Sequence, residues 1–389
     1  MPPLEVAASL RSLGGLMFLD TVGGGEFARS FVTAAPIQRL SGLIDEDWET
    51  VRECLEEKRG TAGGLFGWVG YDGRFTFGVY PHVMVFHHGN QQWSESGDLS
   101  SRLPSAAPLL APPPSLLFRP LVSRGAFIQA VQRAQEYIAA GDIYQVNIAH
   151  PWQAAWRKEA DALALYARLR EISPAPYSAF AELDDTRVIS SSLESFLHMS
   201  ERTITTRPIK GTRPRFPHDT AKDQQSAHDL AGSPKERAEL LMITDLLRND
   251  LGMVCDFGSI RVPDIARVES FAQVFHLVST VTGTLRKEMH HATALKACFP
   301  GGSITGAPKK RAREIIAELE PHPRGIYTGV LGYFGFNGES EFNIIIRTAV
   351  QQGDSITFHA GAGIVADSVP ALEYEETLHK ASGLLRTAL

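Results

Sequence analysis

The sequence has 389 residues, 43% hydrophobic and 21% charged, so the chain is long enough to bury a large core. Its formal net charge of −6 disfavours nucleic acid as a partner, and an anionic ligand would need positive charge or a metal concentrated locally. No apolar run is long enough to cross a bilayer, and the three cysteines lack the spacing of a disulfide scaffold or a zinc site. We therefore expect a cytoplasmic globular protein that binds neither nucleic acid nor a membrane.

Proline marks the first division of the chain. Residues 102–122, RLPSAAPLLAPPPSLLFRPLV, are rich in proline, which lacks an amide hydrogen and has a fixed φ. These properties exclude a helix or a central strand, so we interpret the segment as a linker. It separates an N-terminal region, 1–101, which we expect to pack on the core, from a catalytic region, 123–389.

Three helices carry clear start or stop signals. Ser123 is a predicted N-cap for a helix that ends near Gly141. Ser233, followed by proline and then glutamate, forms a predicted capping box for a helix that runs towards Gly252. A final helix is predicted after Pro370.

Several segments have the alternating or apolar pattern of strands, and Asn337-Gly338 is a strong hairpin signal between two of them. The predicted strands are 143–150, 273–284, 325–336, 342–350 and 355–365. Strand pairs interspersed with long helices, without a regular βαβ rhythm, predict the α+β class.

Two pairs of glutamates have helical spacing. Glu236 and Glu239 lie three apart on one predicted helix, and Glu373 and Glu376 lie three apart on another, so each pair shares a helical face. If the pairs faced one another, their charges would require a cation, and Mg²⁺ prefers such oxygen ligands. The alternative is a pair of solvated acidic helix faces, with Glu236 serving only the capping box.

Two glycine-rich segments offer free backbone amides to an anion. The segment 299–315, FPGGSITGAPKKRAREI, combines glycines with a following basic helix, but lacks the ending of a nucleotide-binding Walker loop. The segment 359–365, HAGAGIV, allows close backbone approach. Each is equally explained as a turn or a strand bend.

Lys210 stands in RPIKGTRPR with Arg207, Arg213 and Arg215 close in sequence. Crowding by cations and partial desolvation would lower the pKa of the lysine and expose a nucleophilic amine. The alternative is a solvated lysine at a turn.

Two further polar residues interrupt apolar strands. Arg347 in FNIIIRTAV should meet a carboxylate from the protein or from a ligand, because an unpaired buried charge is costly. His276 in VFHLVST has the pattern of a satisfied core histidine.

Taken together, these segments resemble the chorismate-utilising family, which includes anthranilate, aminodeoxychorismate, isochorismate and salicylate synthases. The resemblance covers about residues 120–389 and implies stacked antiparallel sheets, flanked by helices, around a deep active site. The motifs that carry it are PIKGT, LLMITDLLRNDLG, GGSITGAPK, GIYTGVLGYF, FNIIIRT and AGAGIVADSVPALEYEET.

The resemblance also implies a role for each motif residue. Mg²⁺ would bind the ring carboxylate of chorismate, with Glu239 and Glu376 as main ligands, assisted by Glu236 and Glu373. Glu194 would be the general acid that protonates the departing C4 hydroxyl. The implied substrate-binding set is Gln145, His276, Ser303, Tyr327, Arg347, Gly361, Ala362, Gly363 and Lys380.

Two positions separate the members of the family. Anthranilate synthases resemble this chain but read PIAGT, whereas the aminodeoxychorismate-forming enzymes read PIKGT, as here with Lys210. The water-using members have a lysine base where this chain has Gln145, which has no useful basicity. The resemblance thus implies a transferase in which Lys210 becomes covalently attached to the substrate. The alternatives are an anthranilate synthase component and a catalytically silent chorismate-binding paralogue.

Ammonia for such a reaction needs a source. None of the three cysteines, in RECLEE, MVCDFG and KACFPG, stands in a glycine-flanked nucleophile turn. The resemblance therefore implies that a separate glutamine amidotransferase subunit supplies the ammonia. The sequence ends at Leu389, directly after the final predicted helix, so we expect no fused lyase.

Overall fold

The computed structural model describes residues 1–22, 28–271 and 274–388. Leu389 and residue 273, the first of a predicted strand, lie outside the described residues. The helices in the described part of the chain are α1 Pro3–Leu10, α2 Glu49–Glu57, α3 Arg124–Ala139, α4 Ala162–Ile172, α5 Thr220–Ala231, α6 Pro234–Gly252, α7 His291–Cys298, α8 Lys309–Leu319 and α9 Pro370–Thr387.

Strands account for much of the remaining chain. They are β1 Met17–Asp20, β2 Arg29–Thr33, β3 Gln38–Leu43, β4 Gly64–Val69, β5 Arg74–Tyr80, β6 Val83–His87, β7 Gln92–Ser96, β8 Arg119–Pro120, β9 Gln145–Ala155, β10 Tyr177–Leu183, β11 Thr186–Ser192, β12 Ser195–Ser200, β13 Thr203–Arg207, β14 Ile209–Pro214, β15 Arg261–Ser270, β16 Val274–Thr284, β17 Gly306–Ala307, β18 Val330–Gly335, β19 Glu339–Ile344, β20 Thr348–Gln352 and β21 Ser355–Ile364.

These strands form two large antiparallel sheets. The first has the order β17-β9-β21-β20-β11-β10-β1-β2-β6-β7, with β8 also paired to β9. The second has the order β14-β16-β13-β12-β19-β18-β4-β5-β3, with β15 also paired to β16. Strands from the first hundred residues therefore extend both sheets, and the boundaries at residues 101 and 122 stay predictions.

Three apolar layers hold the sheets and helices together. Met17 and Phe31 of the first sheet pack with Phe66 and Tyr333 of the second, so this cluster lies between the sheets. The outer face of the second sheet packs on α2, α6 and α7, and that of the first on α1, α4 and α9. Helices on the outside of two stacked sheets confirm the predicted α+β class.

The capping signals predicted the helix starts correctly. Ser123 caps α3 by accepting a hydrogen bond from the Ala126 amide at 3.2 Å. Ser233 caps α6 in the same way, with the Glu236 amide 3.4 Å from its hydroxyl and Pro234 at the first helical position. The Asn337-Gly338 turn joins β18 to β19 as predicted.

Two predicted strands are shorter than expected. The run 342–350 is interrupted at 345–347, where Arg347 has a positive φ of 50° that a strand cannot accommodate. The run 325–336 begins only at Val330, because the residues before it form a turn in which Thr328 has a φ of 61°. The two interruptions place Arg347 and Thr328 at the end of a sheet.

Within the described ranges, no helix is long and apolar enough to span a membrane.

Candidate active site

A cavity of about 670 Å³ opens between helices α6 and α9 and the ends of both sheets. Residues 120–389, which carry the sequence resemblance, contribute its walls. Most of the predicted site residues line this cavity: Glu194, Lys210, Glu236, Glu239, His276, Ser303, Tyr327, Arg347, Gly361, Gly363, Glu373, Glu376 and Lys380.

Gln145 and Ala362 are the two predicted residues that do not line the cavity. Ala362 is fully buried among apolar side chains, on the opposite strand face from Gly361 and Gly363. Gln145 covers Gly363 on the face that Lys210 also approaches, because a Cβ placed on that glycine would lie 2.6 Å from Gln145 Nε2 and 4.0 Å from Lys210 Nζ. The Oε1 atom of Gln145 is buried and has no hydrogen-bond partner among the described residues.

The glycines of β21 form an edge of the cavity. A Cβ at Gly361 would lie 2.6 Å from the Asn147 Oδ1 and 2.8 Å from the Tyr327 hydroxyl, so these side chains require glycine there. The Gly361 carbonyl accepts a hydrogen bond from Lys380 Nζ at 2.8 Å and therefore points away from β9. Since peptide direction alternates along a strand, Gly361 and Gly363 direct their amides to the cavity, and Ala362 directs its amide to β9.

Lys210 lies on β14 opposite Leu277, just before a register shift at Gly211, which has a φ of 66°. A side chain at Gly211 would be strained and would crowd the Glu236 carboxylate at 3.1 Å. The register shift and the glycine therefore let Lys210 reach the cavity from an otherwise regular strand.

The charges around Lys210 differ from the sequence prediction. Arg207 is paired with Glu269, and Arg215 lies 2.9 Å from Asp223. Arg213 lies 3.7 Å from Glu236. Each neighbouring arginine thus has its own acid, and the predicted crowding by free cations is wrong.

Carboxylates of the cavity also lie near the Lys210 side chain. Glu194, Glu239 and Glu376 all interact electrostatically with it. Glu194 itself is buried, with 8% of its surface exposed, between β11 and β12. Burial raises the pKa of Glu194, although a hydrogen bond from Ser303 and the charges of Lys210 and Lys380 oppose the rise. A raised pKa keeps a larger fraction of this carboxyl protonated, as a proton donor requires.

The glutamates of α6 and α9 face one another across the cavity mouth. Burial raises the pKa of Glu239, and the charges of Glu236 and Glu376 add to this rise while Lys210 opposes it. Burial likewise raises the pKa of Glu373. Burial also acts on Glu376, but Lys380, with Nζ 2.7 Å from Oε1, outweighs it and holds the pKa below its usual range.

These glutamates do not form a preassembled metal centre. Across residues 1–22, 28–271 and 274–388, no three acidic, histidine or cysteine side chains are close enough to hold an ion. Their chemistry nevertheless fits Mg²⁺, because this ion takes oxygen donors and needs only one or two protein carboxylates beside substrate oxygens and water. Magnesium therefore stays a prediction.

His276 and Arg347 form the inner wall. Burial lowers the pKa of His276 to about 4, so its ring is neutral at physiological pH. Its Nδ1 lies 2.9 Å from the Gly211 carbonyl, which assigns the ring hydrogen to that atom. Burial also lowers the pKa of Arg347, and none of the carboxylates in the described part of the chain lies within 4.0 Å of it. The sequence predicted that Arg347 meets a carboxylate either from the protein or from a ligand, and a ligand carboxylate is the partner that remains.

The far end of the cavity is aromatic and polar. The Tyr327 ring stacks on His359 with centroids 4.9 Å apart, and burial raises the pKa of its hydroxyl. Ser303 lies in a single 3₁₀ turn, Gly302–Ile304, that precedes β17.

Sequence reasoning missed several lining residues: Asn147, Thr212, Lys235, His359, Glu375 and His379. Asn147 had a usable signal, since it shares a strand face with Gln145. His359 also had one, because it lies two residues before Gly361 on β21 and therefore on the same face.

Comparison with known proteins gives a consistent result over nearly the whole chain. The family described as chorismate binding enzyme matches residues 48–386. Anthranilate synthase component 1 of Methanothermobacter thermautotrophicus is 37% identical over 390 residues, covering 90% of this chain and 83% of that protein. Aminodeoxychorismate synthase component 1 of Klebsiella aerogenes is 40% identical over 348 residues, covering 83% and 76%. The crystal structure of anthranilate synthase component I from Streptococcus pneumoniae has a TM-score of 0.81 at 29% identity, covering 93% of each chain.

Proposed function

Because the chain belongs to the family of chorismate binding enzymes, we propose that it replaces the C4 hydroxyl of chorismate with an amino group. It would then be component 1 of an aminodeoxychorismate synthase, a cytoplasmic transferase. Relatives of both names match the chain, so the choice between them rests on the site. The observation that carries the proposal is Lys210, whose side chain lines the cavity at the edge formed by Gly363.

In the proposed reaction, the neutral amine of Lys210 attacks C2 of chorismate. The two ring double bonds shift towards C4, and the C4 hydroxyl leaves as water after taking a proton from Glu194. The raised pKa of Glu194 supports this role, since it keeps a larger fraction of the carboxyl protonated. Ammonia then attacks C4, the double bonds return, and Lys210 leaves C2 as a neutral amine. The enolpyruvyl group is retained.

Binding of the substrate requires two anion sites. Arg347, Tyr327 and the amides of Gly361 and Gly363 would hold the enolpyruvyl carboxylate. This role is supported because no carboxylate of the described residues pairs with Arg347. His276, Ser303 and Lys380 would surround the ring, and Gln145 would lie beside them over Gly363. The predicted contribution of the Ala362 amide is omitted, because that amide is directed to β9.

Mg²⁺ would bind at the mouth through Glu239 and Glu376, with Glu236 and Glu373 assisting. When bound, it would neutralise the ring carboxylate of chorismate. The carboxylate donors and the raised pKa of Glu239 support a cation there. Glu376 would have to exchange its ion pair with Lys380 for the metal.

The cysteines support an external source of ammonia. Cys54, Cys255 and Cys298 are all buried, and burial raises the pKa of each thiol, that of Cys255 to about 11. Such thiols are poor nucleophiles at neutral pH, whereas a glutaminase needs a reactive thiolate. We therefore propose a separate glutamine amidotransferase subunit as the partner.

The test is to incubate the purified chain with chorismate, ammonium and Mg²⁺ at elevated pH and to identify the product by mass. Aminodeoxychorismate supports the proposal, anthranilate assigns the chain to the other branch of the family, and unchanged chorismate indicates a silent paralogue. Omitting ammonia and mapping peptides by mass spectrometry tests the covalent step. Lys210→Ala should bind chorismate without forming the adduct. A variant that makes aminodeoxychorismate at the wild-type rate would disprove covalent catalysis.

A further inference from the structure

A buried ion pair lies behind the cavity wall and has no place in the reaction described above. Arg324 and Glu320 have side chains only 1% and 6% exposed, and neither lines the cavity. The Arg324 Nη2 lies 2.6 Å from one Glu320 oxygen, and its Nε lies 2.8 Å from the other. The two carboxylate oxygens thus orient the planar guanidinium.

Arg324 uses its remaining donors on segments that form the cavity. Its Nη1 donates to the Ile304 carbonyl at 3.0 Å, and its Nη2 donates to the Asn147 carbonyl at 2.7 Å. Its guanidinium also lies 5.9 Å from the centre of the Tyr327 ring. One side chain therefore contacts β9, the 3₁₀ turn that carries Ser303 and the turn before β18.

Glu320 completes the connection. Its Oε1 also accepts a hydrogen bond from the Ala149 amide at 2.8 Å, two residues along β9 from Asn147. Because both ends of the pair bind β9, the strand cannot shift against the pair without breaking one buried and one partly buried hydrogen bond. Unmade buried bonds are costly, so this arrangement is stiff.

We propose that Arg324, oriented by Glu320, is a positioning residue that sets the spacing of Asn147, Ser303 and Tyr327 around chorismate. Ser303 is next to Ile304, and the Tyr327 hydroxyl lies close to Gly361, where the substrate carboxylate would bind. A change at Arg324 should move both contacts together. Lysine cannot substitute, since a single ammonium does not reproduce the planar fork that reaches two carbonyls and a carboxylate.

The inference rests on the proposal that this cavity binds chorismate, and its test compares two arginines that each pair with a buried carboxylate. Arg324→Lys is paired with Arg170→Lys, in which Arg170 Nε lies 2.6 Å from the fully buried Asp20 carboxylate. Asp20 and Arg170 do not line the cavity. The measurements are the dissociation constant and KM for chorismate, kcat per folded molecule and Tm.

Both variants should lower Tm, but only Arg324→Lys should raise the dissociation constant and KM, by about ten-fold or more. Equal Tm losses with an unchanged dissociation constant and KM for Arg324→Lys would reduce the pair to a purely structural role and overturn the inference. Because chorismate binding and consumption are measured, an anthranilate product would refute the proposed function without affecting this result.

A second variant covers the case in which Arg324→Lys does not fold. The double change Arg324→Met with Glu320→Met removes both charges together, which buried pairs often tolerate. It should fold and bind chorismate about ten-fold or more weakly, because the Asn147 and Ile304 carbonyls lose their common donor. Wild-type affinity in the folded double variant would overturn the inference.

Discussion

Two polar regions of this molecule are built on opposite principles. Around Asp20, a fully buried carboxylate receives hydrogen bonds from Ser30 at 2.8 Å, Tyr166 at 3.0 Å and Arg170 at 2.6 Å. Every group has a protein partner there. At the cavity, neither Arg347 nor the adjacent Gln145 is fully partnered among the described residues: Arg347 has no carboxylate, and the Gln145 Oε1 has no hydrogen bond.

The difference shows how a functional site is distinguished from a structural one. Buried polar groups in folded proteins are normally hydrogen-bonded, so a saturated network stabilises the fold without any ligand. A region whose charges are unmatched or like-signed is complete only when something binds. Arg347 therefore calls for an anion, and we propose a cation beside Glu239, whereas the Asp20 region is already satisfied.

The largest effect should come from Glu194. Glu194→Gln removes the proposed proton donor, so kcat should fall about 10²- to 10⁴-fold with little change in KM. Asp20→Asn is the control from the saturated region and should lower Tm while leaving kcat per folded molecule unchanged. Steady-state kinetics with ammonium checks both. Undiminished kcat in Glu194→Gln would assign the proton transfer to another group.

Glu239→Gln should have the next largest effect. It removes one charge from the proposed magnesium site, and the loss of a buried charge partner costs roughly 3–5 kcal/mol, or about 150- to 5,000-fold in kcat/KM. Glu376→Gln should act in the same direction. Asp245→Asn, on the outward face of α6 in an exposed pair with Arg248, is the matched control and should have no effect. Turnover that persists in excess chelator would disprove the metal requirement.

Arg347 and Arg170 should respond in opposite ways to the same substitution. Arg170→Met leaves Asp20 as an unpaired buried charge and should cost about 3–5 kcal/mol of unfolding free energy. Arg347→Met removes a half-buried cation that has no carboxylate partner among the described residues, so the ligand-free protein should gain stability. The same change should weaken chorismate binding about 10- to 150-fold, the range for a lost charged hydrogen bond. Denaturant unfolding and ligand titration measure both quantities, and a destabilised Arg347→Met would contradict the comparison.

Local patterns predicted the parts of the fold that depend on local physics. Ser123 and Ser233 cap helices because a side-chain oxygen satisfies an amide three residues on, which a sequence displays directly. The positive φ of Arg347 depends on where the two sheets end, so the apolar letters around it wrongly predicted a continuous strand. The α+β class followed from the arrangement of whole elements and was confirmed.

The site was predictable wherever a motif carried the chemistry. The residues of PIKGT and of the two glutamate helices reach one cavity. The resemblance suggested that the amides of Gly361, Ala362 and Gly363 all bind the substrate. Because peptide direction alternates along β21, the Ala362 amide is directed to β9 instead. Arg324 had no signal, since PHPRG shows neither periodicity nor a motif and the two carbonyls that it binds come from distant segments. The predicted crowding of Lys210 by free arginines was wrong for a similar reason, because the acids that pair with these arginines lie elsewhere in the sequence.

The smallest effect we predict is a pH-dependent response to Mg²⁺. When folding raises the pKa of a carboxyl group, ionisation of that group destabilises the folded protein. The loss of stability is absent below the unfolded-state pKa of 4.5 and complete above the folded-state pKa. The contributions of Glu239 and Glu373 should therefore make the metal-free protein less stable as pH rises through this window. Glu376, with its lowered pKa, opposes the trend.

Mg²⁺ should relieve that penalty, because it binds the ionised carboxylates. Its stabilisation should therefore be larger at pH 7.5 than at pH 5, reaching about 2.7 kcal/mol at a concentration a hundred times its dissociation constant. Thermal unfolding with and without Mg²⁺, at constant ionic strength set with sodium chloride, measures the difference. In Glu239→Gln, the stabilisation by Mg²⁺ should differ less between pH 7.5 and pH 5. Equal stabilisation by Mg²⁺ at both pH values would mean that the cavity glutamates do not bind the ion. Of the two charged groups, only Arg347 would then distinguish the cavity from the Asp20 region.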